Sequence, residues 1–263
     1  MAKIRISAER NRQLKAQYEA RLRNCVPWSA AMKWSPELNI VGTTYKVLPL
    51  WPDISASAAP VEALAEGEYV DSPSRKFRYC VRLNQRGVAL HTWWGSQVGT
   101  VLFDSDVLIP ALYQARPEAE REPGAYWEPV PWMSITPGEI LTLRPGTRMA
   151  KGRVVIAGLG LGHQLIEVTK RLQVKKVTVI ELDAELAEWI MPQILPHCRK
   201  PVEVIVGDAY EVLPKLKADV ALIDIFPGYG DGFQRVEQMR RSSPGIKKFW
   251  GWGTSEMTGL RQR

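Results

Sequence analysis

The sequence predicts an α/β protein: an open, mostly parallel sheet preceded by a smaller mixed region with an antiparallel β meander. Three observations carry this. From residue 153 short apolar runs alternate with segments of helical periodicity. The first run ends in glycines at alternate positions, 158, 160 and 162. The later runs end in acids: Glu181, Asp208 and Asp224.

Taken in order, Ser7 is placed to cap a helix over 8–23, where Leu14, Tyr18 and Leu22 form a narrow apolar stripe on a charged rod. Residues 25–75 are rich in Pro, Ala, Ser and Trp, and 55–68 read as a surface loop with one short helix. The segments FRYCVRL, GVALHTWW and VGTVLF, separated by Asn84–Gly87 and Gly95–Gly99, suit the meander. Residues 114–129 are polar and rich in Pro and Glu, as a linker or long loop would be. Thr136, followed by Pro137 and then Glu139, is a capping box with proline at the first helical position. It predicts a short helix ending near Arg144, before Pro145–Gly146.

Four strands follow: RVVIAG, KKVTVIEL, VEVIVGD and ADVALIDIF. Between them lie HQLIEVTKRLQ, AELAEWIMPQI with Pro192 in its last turn, and AYEVLPKLK, broken at Pro214. The apolar run RVVIAG suits a strand buried on both faces. A helix over 232–241 and a short strand at 246–250 would use most of what remains. The organisation expected is a basic helix (1–24), a mixed β region (25–131), the α/β unit (132–250) and a basic tail (251–263).

Composition bounds the function. The chain has 263 residues, 45% hydrophobic and 24% charged, enough to build a packed core. No apolar stretch is long enough to span a bilayer and the start lacks an apolar signal region, so no membrane association is expected. Cys25, Cys80 and Cys198 are widely spaced, which argues against a disulfide framework and fits a reducing cytoplasm. His91, His163 and His197 lie far apart, so no metal motif is expected. The net charge of +7 is uneven. Residues 1–24 and 234–263 each carry seven Lys/Arg against two acids, and the body between them is slightly acidic. Basic ends can attract nucleic acid, or simply keep terminal segments solvated.

Glycines at 158, 160 and 162 let the chain turn tightly and let a ligand approach the backbone. Glu181 follows Gly162 by 19 residues, the spacing a carboxylate needs to meet the hydroxyls of a ribose over such a turn. All four features fall at carboxyl ends of parallel strands, where open sheets bind ligands. The spacing is G-x-G-x-G, not G-x-G-x-x-G, and acids outnumber cations. That suits a cationic, phosphate-free adenosine ligand better than a dinucleotide. Asp208 could equally be a helix cap and Asp224 a strand-end turn residue.

VVIAGLGLG, IELD (180–183), GDA (207–209) and LIDIFPG (222–228) together resemble the class I S-adenosylmethionine-dependent methyltransferases, including their spermidine-synthase-like branch, over roughly 132–250. WMS-x-TP-x-E ahead of GLGLG further resembles a group of methyltransferase-like proteins of phages and their hosts. The resemblance implies a Rossmann-like sheet and S-adenosyl-L-methionine as cofactor. Gly158, Gly160 and Gly162 would pass under the methionine part and ribose. Glu181, within IELD with Asp183, would take the ribose hydroxyls. Asp208 and Ala209 would meet the adenine, and Asp224 would stand beside the sulfonium and the acceptor. Phe226 and Tyr229 would wall a flat acceptor. The acceptor class stays open between small molecule, protein and nucleic acid, and the oligomeric state is unassigned.

Two alternatives compete: a non-catalytic adenosyl-binding module and an aminopropyltransferase. The second lacks acids that family uses for amines, since Leu161 and Pro227 stand in their places. The family's terminal antiparallel hairpin has no counterpart in 226–263, so the sheet is either truncated or completed by the N-terminal strands. Glu139 either only completes its capping box or lines the cofactor cleft. His163 either meets the cofactor carboxylate or is solvated. Most of the ten tryptophans suit packing, with Trp132 the exception worth testing.

Overall fold

A computed structural model describes residues 9, 12, 26–28, 50–51, 53–85, 89–94, 97–103, 106–121, 123–226 and 232–254, with backbone alone over 26–28, 89–94 and 97–103 and at 137 and 141. Apart from residues 9 and 12, which are helical, the expected 8–23 helix lies outside the described residues, as do Tyr229 and the 255–263 tail.

Ahead of residue 137 stand β1 (Val26–Trp28), β2 (Ala56–Ser57), β3 (Tyr69–Asp71), β4 (Phe77–Asn84), β5 (Ala89–Trp94), β6 (Gln97–Phe103), β7 (Val107–Gln114) and β8 (Met133–Ser134). The expected antiparallel strands are present; the second and third pair consecutively, but the first does not join them. β4 pairs with β7 along its whole length, while β5 and β6 form a hairpin in another sheet with β1. Arg78 of β4 is buried, and its guanidinium holds both Asp71 oxygens at 2.6 and 2.9 Å. It also lies 3.4 Å from the Tyr69 ring centroid. The 114–129 segment crosses as a loop with one 3-10 turn at Glu118–Glu120.

The α/β unit follows. Helix α1 (Pro137–Met149) begins at Thr136, whose hydroxyl accepts from the Glu139 N–H at 3.3 Å. It does not stop at Arg144 as expected but continues through Pro145 to Met149. Tertiary packing overrides the breaker, because a Cβ on Gly146 would stand 2.5 Å from the Trp250 indole. Glycine therefore lets that turn sit on a buried ring, and this contact offsets the one backbone bond lost at proline.

Strands β9 (Gly152–Ala157), β10 (Val174–Glu181), β11 (Val202–Val206), β12 (Val220–Ile223) and β13 (Phe249–Gly251) form a parallel sheet in the order β11-β10-β9-β12-β13. The helices α2 (His163–Thr169), α3 (Ala184–Ile194), α4 (Ala209–Val212) and α5 (Gly232–Ser242) connect these strands. As expected, β9 is buried on both faces: Val154 and Ile156 enter one apolar cluster, Val155 and Ala157 another. Pro192 sits inside α3, and the α4 segment turns to 3-10 geometry at Leu213–Lys215 around Pro214.

The sheet is a truncated Rossmann-like sheet, with five strands among the described residues. The N-terminal strands do not extend it by hydrogen bonding there; they pack beside it. Ser74 N–H donates to Glu185 at 2.8 Å, Lys76 pairs with Asp183, and the Trp51 and Trp189 rings stand 4.9 Å apart. The chain runs outward from β9 through β10 to β11 and then returns to β12 on the other side of β9. That reversal opens a crevice beyond the carboxyl ends of these strands.

Candidate functional site

A cavity of about 590 Å³ fills this crevice. Gly158, Gly160, Glu181, Asp183, Asp208, Ala209, Asp224 and Phe226 all line it, so the structure gathers the residues singled out above around one space. Gly162 is not among the lining residues.

The three glycines differ in what holds them. All have positive φ, at +94, +51 and +73°. A Cβ on Gly158 would overlap the Asp224 carbonyl oxygen, so this glycine lets two strand ends close on each other. Gly162 caps α2 in the left-handed region, and a Cβ there would meet Ile194 at 2.7 Å. Gly160 faces Met133, whose sulfur accepts from the Leu161 N–H at 2.7 Å. Met133 thus roofs the turn, and the capped segment before α1 forms one wall of the cavity.

Glu181 is 8% exposed. One carboxylate oxygen accepts from Leu159 N–H at 2.9 Å and the other from Asp183 N–H at 3.0 Å. Each oxygen keeps a further acceptor position, so the same group that rigidifies the turn still offers two acceptors to a ligand. Asp183 caps α3, accepting from Leu186 N–H at 3.1 Å, and pairs with Lys76. Burial acts to raise its proton affinity, but the hydrogen bonds from Lys76 and the helix N–H groups outweigh that and hold it below the usual range. Both its oxygens are therefore engaged by the protein. Asp208 is exposed and caps α4 at 2.8 Å from Tyr210 N–H, so its cap role is present while it lines the cavity. Phe226 is buried, with the Arg235 guanidinium 5.9 Å from its ring centroid.

At the inner end, Glu139 and Asp224 face the same space. Thr136 caps the Glu139 backbone, while the Glu139 carboxyl lies in the cleft. Burial pushes both carboxyls well above the ordinary carboxylate range, and the Asp224 charge pushes Glu139 further. Both acids are therefore held toward their protonated forms. His163 also lines the cavity, and burial lowers it to about 4, so its imidazole is neutral there.

Gln164 was not singled out in the sequence. It is 6% exposed and lines the cavity, yet neither its amide nitrogen nor its amide oxygen has a partner. A polar residue directly after a glycine turn and capping position was the only signal available. Trp132 is 51% exposed at the rim, unlike the buried Trp127, Trp250 and Trp252.

These groups set opposite limits on stability with pH. The folded pKa of His163 lies below its ordinary 6.5, so its contribution is present above 6.5 and lost as pH falls toward 4. For Glu139 the folded value lies above the ordinary 4.5, so the folded state is favoured by the proton and weakens as pH rises past that value. Thermal melts should show Glu139→Gln flattening the alkaline limb, by roughly 1–3 kcal/mol at pH 8. An alkaline limb unchanged in this variant would contradict the buried-acid assignment.

No metal-ligating cluster exists among the described residues, and no helix there is long and apolar enough to cross a membrane.

No protein-family model matches the chain, and neither does any curated protein. Among solved structures it is similar to a methyltransferase from Geobacter sulfurreducens in complex with S-adenosyl-L-homocysteine, with 27% identity, 43% of this chain and 47% of that one covered, and a TM-score of 0.33. A second, from Thiobacillus denitrificans with the same ligand, gives 26% identity, coverage of 42% and 47%, and a TM-score of 0.33. A putative RNA methyltransferase from Pyrococcus horikoshii gives 18% identity, coverage of 44% and 60%, and a TM-score of 0.34. The chain spans less than two thirds of each of these proteins.

Proposed function

We propose that the chain is an S-adenosylmethionine-dependent methyltransferase. One observation carries this: a glycine turn, a ribose-spaced carboxylate and two strand-end acids line a single cavity at the switch point of a parallel sheet. The lining fits the group. Glu139, Glu181, Asp183, Asp208 and Asp224 outnumber Lys76 and Arg235, and Lys76 is already paired with Asp183. That balance suits a cation without phosphate. Gln164 supplies a buried amide in need of partners.

In this reading Gly158 and Gly160 let the backbone approach the ligand, and Glu181 takes the ribose hydroxyls. Asp208 and Ala209 meet the adenine edge. Gly162 and Asp183 act one step back, by setting the start of α2 and of α3. The cofactor supplies an electrophilic methyl on a sulfonium. The protein's work is to hold the acceptor in line with it and keep water out, which proximity and orientation dominate. Asp224 is placed to accept the acceptor's proton and Phe226 to wall its side. Small molecules, protein side chains and nucleic acids are all compatible with that lobe, and the basic ends would favour the last.

The spermidine-synthase-like alternative is disfavoured at its amine-binding positions by Leu161 and Pro227. A binding module without turnover is the reading the experiment must separate. Asp224→Asn should keep S-adenosylhomocysteine affinity within about threefold by calorimetry, while methyl release falls by roughly 100-fold or more. A wild-type protein that binds the cofactor but transfers no methyl across a panel of acceptors would favour the module.

A further inference from the structure

The inner end of the cavity holds three features that the assignment above leaves partly unused. Glu139 comes from the first turn of α1 and Asp224 from the end of β12, so two acids from distant parts of the chain line one cavity. Gln164 of α2 lines the same cavity, and its amide is buried without a partner. An unsatisfied buried amide is costly unless a ligand completes it, which marks this end as a site.

We propose that Glu139 and Asp224 act as one cation-receiving site that holds a shared proton, surrenders it when a sulfonium enters, and keeps it against a neutral thioether. The inference rests on the methyltransferase reading and deepens it, because S-adenosylmethionine and S-adenosylhomocysteine differ by that one methyl and that one charge. Both leave the same amino-acid head for Gln164 to meet. The carboxyl O–H bond breaks, its electron pair stays on the carboxylate and the proton passes to solvent, and no bond of the ligand changes in this step. Once the methyl has left, the site recovers its proton from solvent, so the product's sulfur no longer has a counter-charge and its hold weakens.

The other charged groups around the cavity do not cancel this effect. His163 on α2 is neutral, with burial holding it near 4. On β10's end, Glu181 is held by two backbone N–H groups, and Asp183 is neutralised by Lys76 at the start of β4. Asp208 at α4 is exposed and caps its helix, beside the Tyr210 phenol, and Arg235 of α5 lies over the Phe226 face. The Glu139–Asp224 pair is therefore the group in the cleft whose protonation is most open to an entering charge.

The test is titration calorimetry of the full chain near pH 7 in several buffers of different ionisation enthalpy, with S-adenosylmethionine and with S-adenosylhomocysteine. The slope against buffer enthalpy counts protons released. Binding of the sulfonium should release roughly 0.5–1 proton more than binding of the thioether, as expected where a proton is shared near neutrality. This comparison needs no variant. Glu139→Gln, checked for folding by circular dichroism, should shrink the difference by more than half. Gln164→Leu should weaken both ligands by roughly tenfold, the scale of one lost hydrogen bond, and leave the proton difference intact. Equal proton counts for the two ligands overturn the inference while leaving the cofactor assignment standing. Failure of both ligands to bind overturns the assignment and the inference together.

Discussion

Replacing Gly158 by alanine is expected to unfold much of the α/β unit at moderate temperature. Its φ of +94° is strained for any residue with a Cβ, and the added methyl would overlap the Asp224 carbonyl oxygen. Neither partner can move away. Gly158 N–H is held by Ile180 C=O at 2.9 Å, and Asp224 N–H by Ala157 C=O at 2.9 Å. The strain and the overlap together amount to roughly 3–5 kcal/mol. For a chain of this size that is a fall in Tm of roughly 10 °C, readable by circular dichroism. Gly160 is the informative control, because the group in its way is the end of the flexible Met133 side chain. Gly160→Ala should therefore cost much less stability and act mainly on ligand approach. Equal losses at the two positions would contradict the division of roles described here.

Glu181→Ala should have the largest effect on binding. Its carboxylate is nearly buried, already orders the glycine turn through Leu159, and keeps two acceptor positions open toward the cavity. Losing charge-assisted bonds to two hydroxyls costs about 3 kcal/mol, or roughly 100-fold in cofactor affinity. The protein should remain folded, because the two backbone N–H groups released lie beside the cavity, where water can reach them. The measurement is calorimetry with S-adenosylmethionine alongside a thermal melt. An affinity equal to wild type would mean the ribose lies elsewhere.

Much of this site was legible because parallel strands in an open sheet have continuous apolar runs and place their ends together. Once RVVIAG, KKVTVIEL, VEVIVGD and ADVALIDIF are strands, Glu181, Asp208 and Asp224 must share one edge of the sheet. The N-terminal part was less legible. FRYCVRL and VLIPALYQ pair over their full lengths across an intervening hairpin, and alternation alone does not say which strand takes which neighbour. The helix running past Pro145 was hidden for a related reason: a local breaker lost to a buried tryptophan more than a hundred residues away.

What the chain determined by itself was the parallel unit, its turn and the ring of acids, since periodicity and spacing are local properties. Only tertiary structure decided which groups meet. It brought Glu139 and Asp224 to one cavity, left Gln164 buried without a partner, and set Gly162 into the packing against Ile194 instead of the cavity wall. The cause is physical: a side chain's charge state and its unmet hydrogen bonds depend on what packs around it, and those neighbours arrive from distant segments.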